Sequence, residues 1–205
     1  MLAGHFGLAA AVKARQPQLP IWSLMLATQL LDVIFLFTYA FGIEGYHPVA
    51  GTAGGYGNLI FSIDYTHSLV GAFIISSIAT IITWIFWGRR NGLIIGAVSF
   101  SHWVLDLIVH RPDLSILPGN AGDLPRLGLG LWQIPWIVAA IELGLCLAGA
   151  WLYYHASGRT AIQAERKREK AGEPPAGYRQ NALLASILLT LFMLATLAGD
   201  VFLNL

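Results

Sequence analysis

The chain has 205 residues, of which 56% are hydrophobic and only 11% are charged, and its formal net charge is +1. This composition excludes an ordinary soluble domain and is typical of a protein that lies in a lipid bilayer. The few basic residues fall in short segments between apolar stretches, so the chain lacks the basic face that binds nucleic acid. A single cysteine, Cys146, excludes an intrachain disulfide and a cysteine-rich metal cluster.

The first apolar segment, residues 2–14, is too short to cross a bilayer. It ends at Lys13 and Arg15, just before a turn that Pro17 and Pro20 indicate. Two interpretations fit this pattern. The segment either lies in the cytoplasmic interface as an amphipathic anchor or enters the membrane as a re-entrant half-helix that other helices cover.

Five later stretches have the roughly 20 mostly apolar residues that a spanning helix needs. They predict an all-α integral membrane protein with about five transmembrane helices in a single domain, residues 1–205. The expected spans are 21–43, 65–87, 91–110, 132–155 and 181–203, with a charged cytoplasmic connector at 156–180. Basic residues lie before the first span, between the second and third, and in this connector, so the N-terminus is expected inside and the C-terminus outside.

Ionisable residues recur inside the predicted spans, where an unpaired charge is costly and usually serves a functional site. They are Asp32, His67, His102, Asp106, His110, Glu142 and Asp200, and Asp64 directly precedes the second span. Glu142 or Asp200 alone is typical of a buried structural carboxyl group, so whether either belongs to a site stays open.

The third span holds the most informative spacing, because His102, Asp106 and His110 stand at i, i+4 and i+8. A helix turns by about 100° per residue, so these three side chains share one stripe. Asp64 and His67, at i and i+3, are likewise expected on one face of the second span. Imidazole and carboxylate groups are the ligands of zinc and other divalent ions, and we therefore expect a divalent metal site with zinc as the preferred ion.

Depth along the helices supports one shared site. At about 1.5 Å per residue, His102 and Asp32 fall near the middle of the membrane and the other groups towards its external face. If residues 2–14 are re-entrant, His5 arrives near Asp32. The expected metal ligands are His67, His102, Asp106, His110 and His5, and Asp64 or Asp32 is expected as general base or as a partner of the ligands.

Two motifs resemble the YdjM-like inner-membrane proteins, a family described as metal-dependent hydrolases. They are Thr66-His67-Ser68-Leu69, which is similar to that family's THSL, and Ser101-His102-Trp103-Val104-Leu105-Asp106, which is similar to its SHxxLD. Gly4-His5-Phe6-Gly7-Leu8 also resembles the start of those proteins, and Asp32 is similar in position to an acidic residue of theirs. The resemblance covers residues 1–119 and implies a metal site in a bacterial inner membrane.

Four functions are compatible with these residues. The first is a metal-dependent hydrolase that acts on an ester or phosphoester of a lipid-like substrate at the external leaflet. The alternatives are a proton or metal-ion transport protein, a membrane cytochrome that binds haem through His67 with His102 or His110, and an accessory subunit of a larger membrane complex. Carboxylates near the histidines favour a hard divalent ion over haem, and we therefore expect the hydrolase, with membrane lipids as partners.

Overall fold

The computed structural model describes residues 1–52 and 54–203. Within these residues the chain is about 70% helical, which confirms the all-α prediction. The elements are α1 (Leu2–Arg15), α2 (Ile21–Thr28), α3 (Leu30–Ala40), β1 (Gly45–Pro48), β2 (Leu59–Ser62), α4 (Leu69–Trp87), α5 (Arg89–Val109), α6 (Pro135–Lys170) and α7 (Tyr178–Leu203). Two short 3-10 turns, Pro118–Asn120 and Leu131–Gln133, lie between α5 and α6.

Four helices, α4 to α7, are each long and apolar enough to cross a membrane, and α2 with α3 forms a fifth candidate span. The first span is not the single helix predicted at 21–43, because α2 and α3 meet at an angle of 53°. The break falls at Gln29, whose backbone leaves the helical conformation. It leaves the carbonyl group of Thr28 to accept a hydrogen bond from His102 of α5, which compensates for the interrupted helix.

Helix α1 packs inside the bundle against α6 and α7, as the re-entrant interpretation predicts for residues 2–14. The contact is close because glycine faces glycine. A side chain at Gly149 of α6 would overlap the backbone carbonyl of Gly7, and a Cβ at Gly7 would lie 2.5 Å from the carbonyl oxygen of Leu145. Small residues thus let the two backbones touch, as is common between membrane helices.

Two predicted boundaries are wrong for local reasons. Helix α4 begins at Leu69 and not at residue 65, because the Ser68 hydroxyl accepts the backbone N–H of Gly71 at 3.0 Å and caps the helix. Helix α6 continues to Lys170, so only residues 171–177 of the predicted connector are non-helical. Residues 156–170 are rich in alanine, glutamate, arginine and lysine, which favour helix.

A two-stranded antiparallel hairpin fills part of the loop between α3 and α4, pairing Gly45 with Ser62 and Pro48 with Leu59. The hairpin contacts the loop after α5, since the backbone N–H of Phe61 donates to Asp113 Oδ2 at 3.1 Å. These two loops together cover one end of the bundle, here called the hairpin end. The polar side chains discussed below lie beneath it.

The contact between α1 and α6 makes a testable prediction. Gly149→Ala is expected to lower the free energy of unfolding by about 1–3 kcal/mol, because the added methyl group has no space against Gly7. Gly144→Ala in the same helix is the control, since nothing lies within 4 Å of a Cβ at that position. Thermal unfolding of both variants in detergent measures the difference, and equal midpoints would contradict the close packing of α1.

Candidate metal centre

Six ionisable side chains from five parts of the chain meet beneath the hairpin end. They are His5 of α1, Asp32 of α3, His67 of the turn before α4, His102 and Asp106 of α5, and His110 just after α5. All are buried except Asp32, whose side chain is 41% exposed. The structure thus brings together every residue that was expected as a metal ligand.

Three of these groups form a small triangle of acceptor atoms. His102 Nε2 lies 3.0 Å from Asp106 Oδ2, His67 Nε2 lies 3.3 Å from His102 Nε2, and His67 Nε2 lies 3.7 Å from Asp106 Oδ2. Tetrahedral zinc with bonds of about 2.1 Å holds neighbouring ligand atoms about 3.4 Å apart. The triangle therefore has the size of one face of a zinc coordination shell.

Asp32 lies on the open side of the two imidazoles. Its Oδ1 is 3.3 Å from His67 Nε2 and 3.5 Å from His102 Nε2. Three protein ligands that leave one position for water or substrate are the layout of a catalytic zinc site, and in such a site Asp32 would lie beside the bound ion. Asp32 can act there as a further ligand or as a base.

A hydrogen bond on the side of the His102 ring that faces away from the cluster shows which ring nitrogen carries the proton. Nδ1 lies 2.6 Å from the carbonyl oxygen of Thr28, and a carbonyl can only accept. Nδ1 therefore donates, and a neutral His102 presents the lone pair of Nε2 to the centre of the cluster. An imidazole held from behind in this way is typical of a metal ligand.

His67 is held in the same tautomer by a longer chain of groups. The Thr66 hydroxyl donates to Glu44 Oε2 at 2.8 Å, so it can accept from His67 Nδ1, which lies 2.8 Å away. Glu44 is itself fixed, because its Oε1 accepts the backbone N–H groups of Tyr65 and Thr66 at 2.8 and 2.9 Å. Neutral His67 thus also presents the Nε2 lone pair to the cluster.

These two tautomers have a physical consequence. Both Nε2 atoms are acceptors, and they lie 3.3 Å apart in a buried site. Two lone pairs at that distance repel each other unless a proton or a metal ion lies between them. His67 and His102 are therefore placed so that a proton or a metal ion could lie between their Nε2 atoms.

His110 and His5 complete the cluster from opposite sides. His110 Nδ1 donates to Asp113 Oδ1 at 2.9 Å, and its Nε2 lies 3.8 Å from Asp106 Oδ2. The His5 ring stacks on His102 with centroids 4.0 Å apart, and its Nε2 lies 3.2 Å from Asp106 Oδ1. His5 thus contacts the oxygen of Asp106 that points away from the triangle, which suits a residue that orients this carboxylate.

Asp64 lies apart from the cluster. Its carboxylate forms an ion pair with Arg126, with 3.0 Å between Oδ2 and Nη2, and these hydrogen bonds raise the pKa of the guanidinium group. The helical spacing assumed for Asp64 and His67 does not apply, because residues 64–68 are not helical. Asp64 therefore ties two loops together, and of the two expected bases Asp32 alone lies beside the triangle.

A cavity of about 450 Å³ adjoins the cluster. Asp32, His67, Asp106 and His110 line one part of it, and the rest is largely apolar, with Phe35, Phe61 and Trp132 among the lining residues. Asp200 also lines this cavity. Glu142 does not reach the cluster, because its two oxygens accept from the Gly4 backbone N–H at 3.0 Å and the Tyr56 hydroxyl at 2.6 Å.

Sequence reasoning missed the residues that hold the imidazoles from behind. Asp113 follows His110 by three positions and Thr66 directly precedes His67, so local spacing could have indicated both. Glu44 and the carbonyl group of Thr28 carried no such signal. They reach the site only through the folding of distant segments.

The fold and the cluster define a class of protein: a helical membrane protein with a buried histidine and carboxylate centre beneath one end of its bundle. A search of family models, curated proteins and solved structures finds no match for this chain. Membership of the YdjM-like family stays a prediction from short motifs, as do the bound metal and the reaction.

The hydrogen bond between Thr66 and His67 makes a testable prediction. Thr66→Val is expected to weaken zinc affinity about 10- to 100-fold, because the variant loses the hydroxyl that fixes the His67 tautomer. Thr66→Ser keeps the hydroxyl and is expected to bind zinc almost as tightly as the unaltered protein. Titration against a competing zinc chelator measures all three affinities, and a valine variant with unchanged affinity would refute the role of Thr66.

Proposed function

We propose that this chain is a membrane-embedded, metal-dependent hydrolase that cleaves an ester or phosphoester of a lipid-like substrate. The observation that carries the proposal is the pair of imidazole lone pairs, on His67 and His102, that face each other at 3.3 Å with Asp106 completing a triangle. Their outer partners hold both rings in the tautomer that a metal ion requires.

The residues present suit zinc, because borderline-soft Zn²⁺ prefers imidazole nitrogen and carboxylate oxygen at tetrahedral spacing. His67, His102 and Asp106 would hold the ion, and His110, 3.8 Å from Asp106, is the candidate for an additional ligand or a second position. Zinc held by these residues would supply a coordinated water whose pKa is lowered towards neutrality.

Asp32 is the proposed general base. Its carboxylate lies within 3.5 Å of both imidazole nitrogens, and its side chain is partly exposed on the cavity. It can therefore accept a proton from the attacking water and pass it to the leaving group. His5 and the outer hydrogen bonds keep the ligands oriented while the proton moves.

The cavity supports a lipid-like substrate. Phe35, Phe61 and Trp132 give it apolar walls next to the polar cluster, which suits a molecule that combines an apolar chain with a cleavable polar group. The distribution of basic residues favours an external position for the hairpin end, and we therefore propose a substrate of the external leaflet. Residence in a bacterial inner membrane is proposed from the resemblance of the motifs alone.

Two observations favour hydrolysis over transport and over haem binding. A transport path would have to continue towards the opposite end, but the packing there between α1, α2 and α5 is apolar, formed by Ala9, Leu19, Leu24, Ala27, Ile95 and Val98. Haem ligands bind iron from opposite faces of the porphyrin, whereas His67 and His102 lie side by side with 3.3 Å between their Nε2 atoms.

Metal content tests the proposal directly. The purified protein is expected to hold zinc, and the double variant His67→Ala with His102→Ala is expected to lose it, because two of the three proposed ligands disappear. A matched control replaces His47 and His155, which are both exposed and lie outside the cluster. Elemental analysis gives the zinc content, and wild-type protein without any divalent metal after zinc loading would refute the metal site.

The same preparations test the reaction. Protein reconstituted in vesicles of phosphatidylethanolamine and phosphatidylglycerol is expected to release cleaved product, detected by mass spectrometry. Chelation of zinc is expected to reduce release to background, and Asp32→Asn to reduce it by about 100-fold or more. Zinc-loaded protein that cleaves neither lipid but conducts protons or zinc in a flux assay would replace hydrolysis with transport.

Orientation is tested by thiol labelling, since Cys146 is 1% exposed and gives little background. Ala50→Cys, in the exposed loop of the hairpin, is expected to react with a membrane-impermeant maleimide in intact cells. Lys167→Cys, near the end of α6, is expected to react only after permeabilisation. The reverse pattern would put the cluster at the cytoplasmic leaflet.

A further inference from the structure

Helix α7 contributes a carboxylate to the cavity that the metal cluster does not use. Asp200 is 8% exposed, and its Oδ2 has no hydrogen-bond partner among residues 1–52 and 54–203. A buried carboxyl oxygen without a donor is unfavourable in the free protein. A ligand that brings a donor to this oxygen would remove that cost.

The neighbouring buried carboxylate shows the contrast. Both oxygens of Glu142 have donors within the protein, the backbone N–H of Gly4 and the hydroxyl of Tyr56. Glu142 therefore joins α6 to α1 and to the loop after β1. Asp200 is also a buried carboxylate, but its Oδ2 has no hydrogen-bond donor among the described residues. Asp200 lines the cavity, whereas Glu142 does not.

The cavity leaves space for a ligand beside Asp200. Small residues of α7, Ala195, Thr196 and Gly199, line this wall, and Phe35 of α3 lines the cavity as well. The metal cluster and Asp200 both contribute polar groups to this cavity, as do Tyr56, Thr196 and the amino group of Met1, whose charge acts on Asp200 without a hydrogen bond to Oδ2. The rest of the lining is largely apolar. An amphiphile whose cleavable bond lies at the cluster would bring a second polar group within the same cavity as Asp200.

We propose that Asp200 recognises the substrate by accepting a hydrogen bond from a hydroxyl or primary ammonium group of a lipid headgroup. This inference rests on the proposed hydrolase function and adds the substrate class to it. A carboxylate accepts from either donor, and a headgroup without N–H or O–H cannot satisfy the open oxygen. The site therefore selects lipids with a donor over lipids that are fully methylated.

Lipid binding to the zinc-loaded, full-length protein tests this selection. Native mass spectrometry in detergent compares phosphatidylethanolamine and phosphatidylglycerol, which carry N–H and O–H donors, with phosphatidylcholine, which carries neither. The unaltered protein is expected to bind at least one of the two donor lipids about tenfold more tightly, the effect of one hydrogen bond to a charged group. Asp200→Ala is expected to abolish this preference.

Two further variants sharpen the result. Asp200→Asn keeps an acceptor oxygen without the charge, so it should retain a preference for the hydroxyl lipid and lose one for the ammonium lipid. Asp123→Ala removes an exposed loop carboxylate and should leave the preference intact. No preference in the unaltered protein, or an unchanged preference in Asp200→Ala, would overturn the inference while zinc remains bound. Failure of the proposed hydrolase function can be told apart from failure of this inference, because it appears as an absence of bound metal in the elemental analysis.

Discussion

The fold holds three acceptor atoms in contact that would otherwise repel one another, and the rest of the site depends on this contact. His67 Nε2, His102 Nε2 and Asp106 Oδ2 lie within 3.7 Å of one another in a buried region. Such a contact is stable when a proton or a metal ion lies between the acceptor atoms, and the groups behind the rings keep these from turning away. The most informative features of the structure are these outer groups.

The groups that hold His102 and His67 from behind each lie where the backbone departs from a regular helix. The break between α2 and α3 leaves the carbonyl group of Thr28 for His102. The turn before α4 places Thr66 between His67 and Glu44, and Glu44 also accepts from Thr38 at the end of α3. Departures from ideal helix are tolerated inside a membrane where the freed polar groups find partners, and here those partners serve the site.

Helix α1 gives the cluster its inner wall. Because Gly7 and Gly149 have no side chains, α1 can lie directly against α6 and bring His5 onto the face of His102. The same approach places the backbone N–H of Gly4 on Glu142. This short apolar segment is thereby part of the core. The glycine contact that stabilises the packing of α1 against α6 also positions His5 in the site.

The sequence determined by itself those features that depend on local periodicity. Long apolar stretches predicted the spans, and the spacing of His102 and Asp106 predicted a shared face, because helical geometry relates residues four positions apart. The same rule failed for Asp64 and His67, since the cap at Ser68 starts α4 after both of them. Only the tertiary structure decided that α1 is buried, that Asp64 pairs with Arg126 and that Glu44 supports His67. These contacts join residues far apart in the chain, and no local pattern encodes where such segments meet.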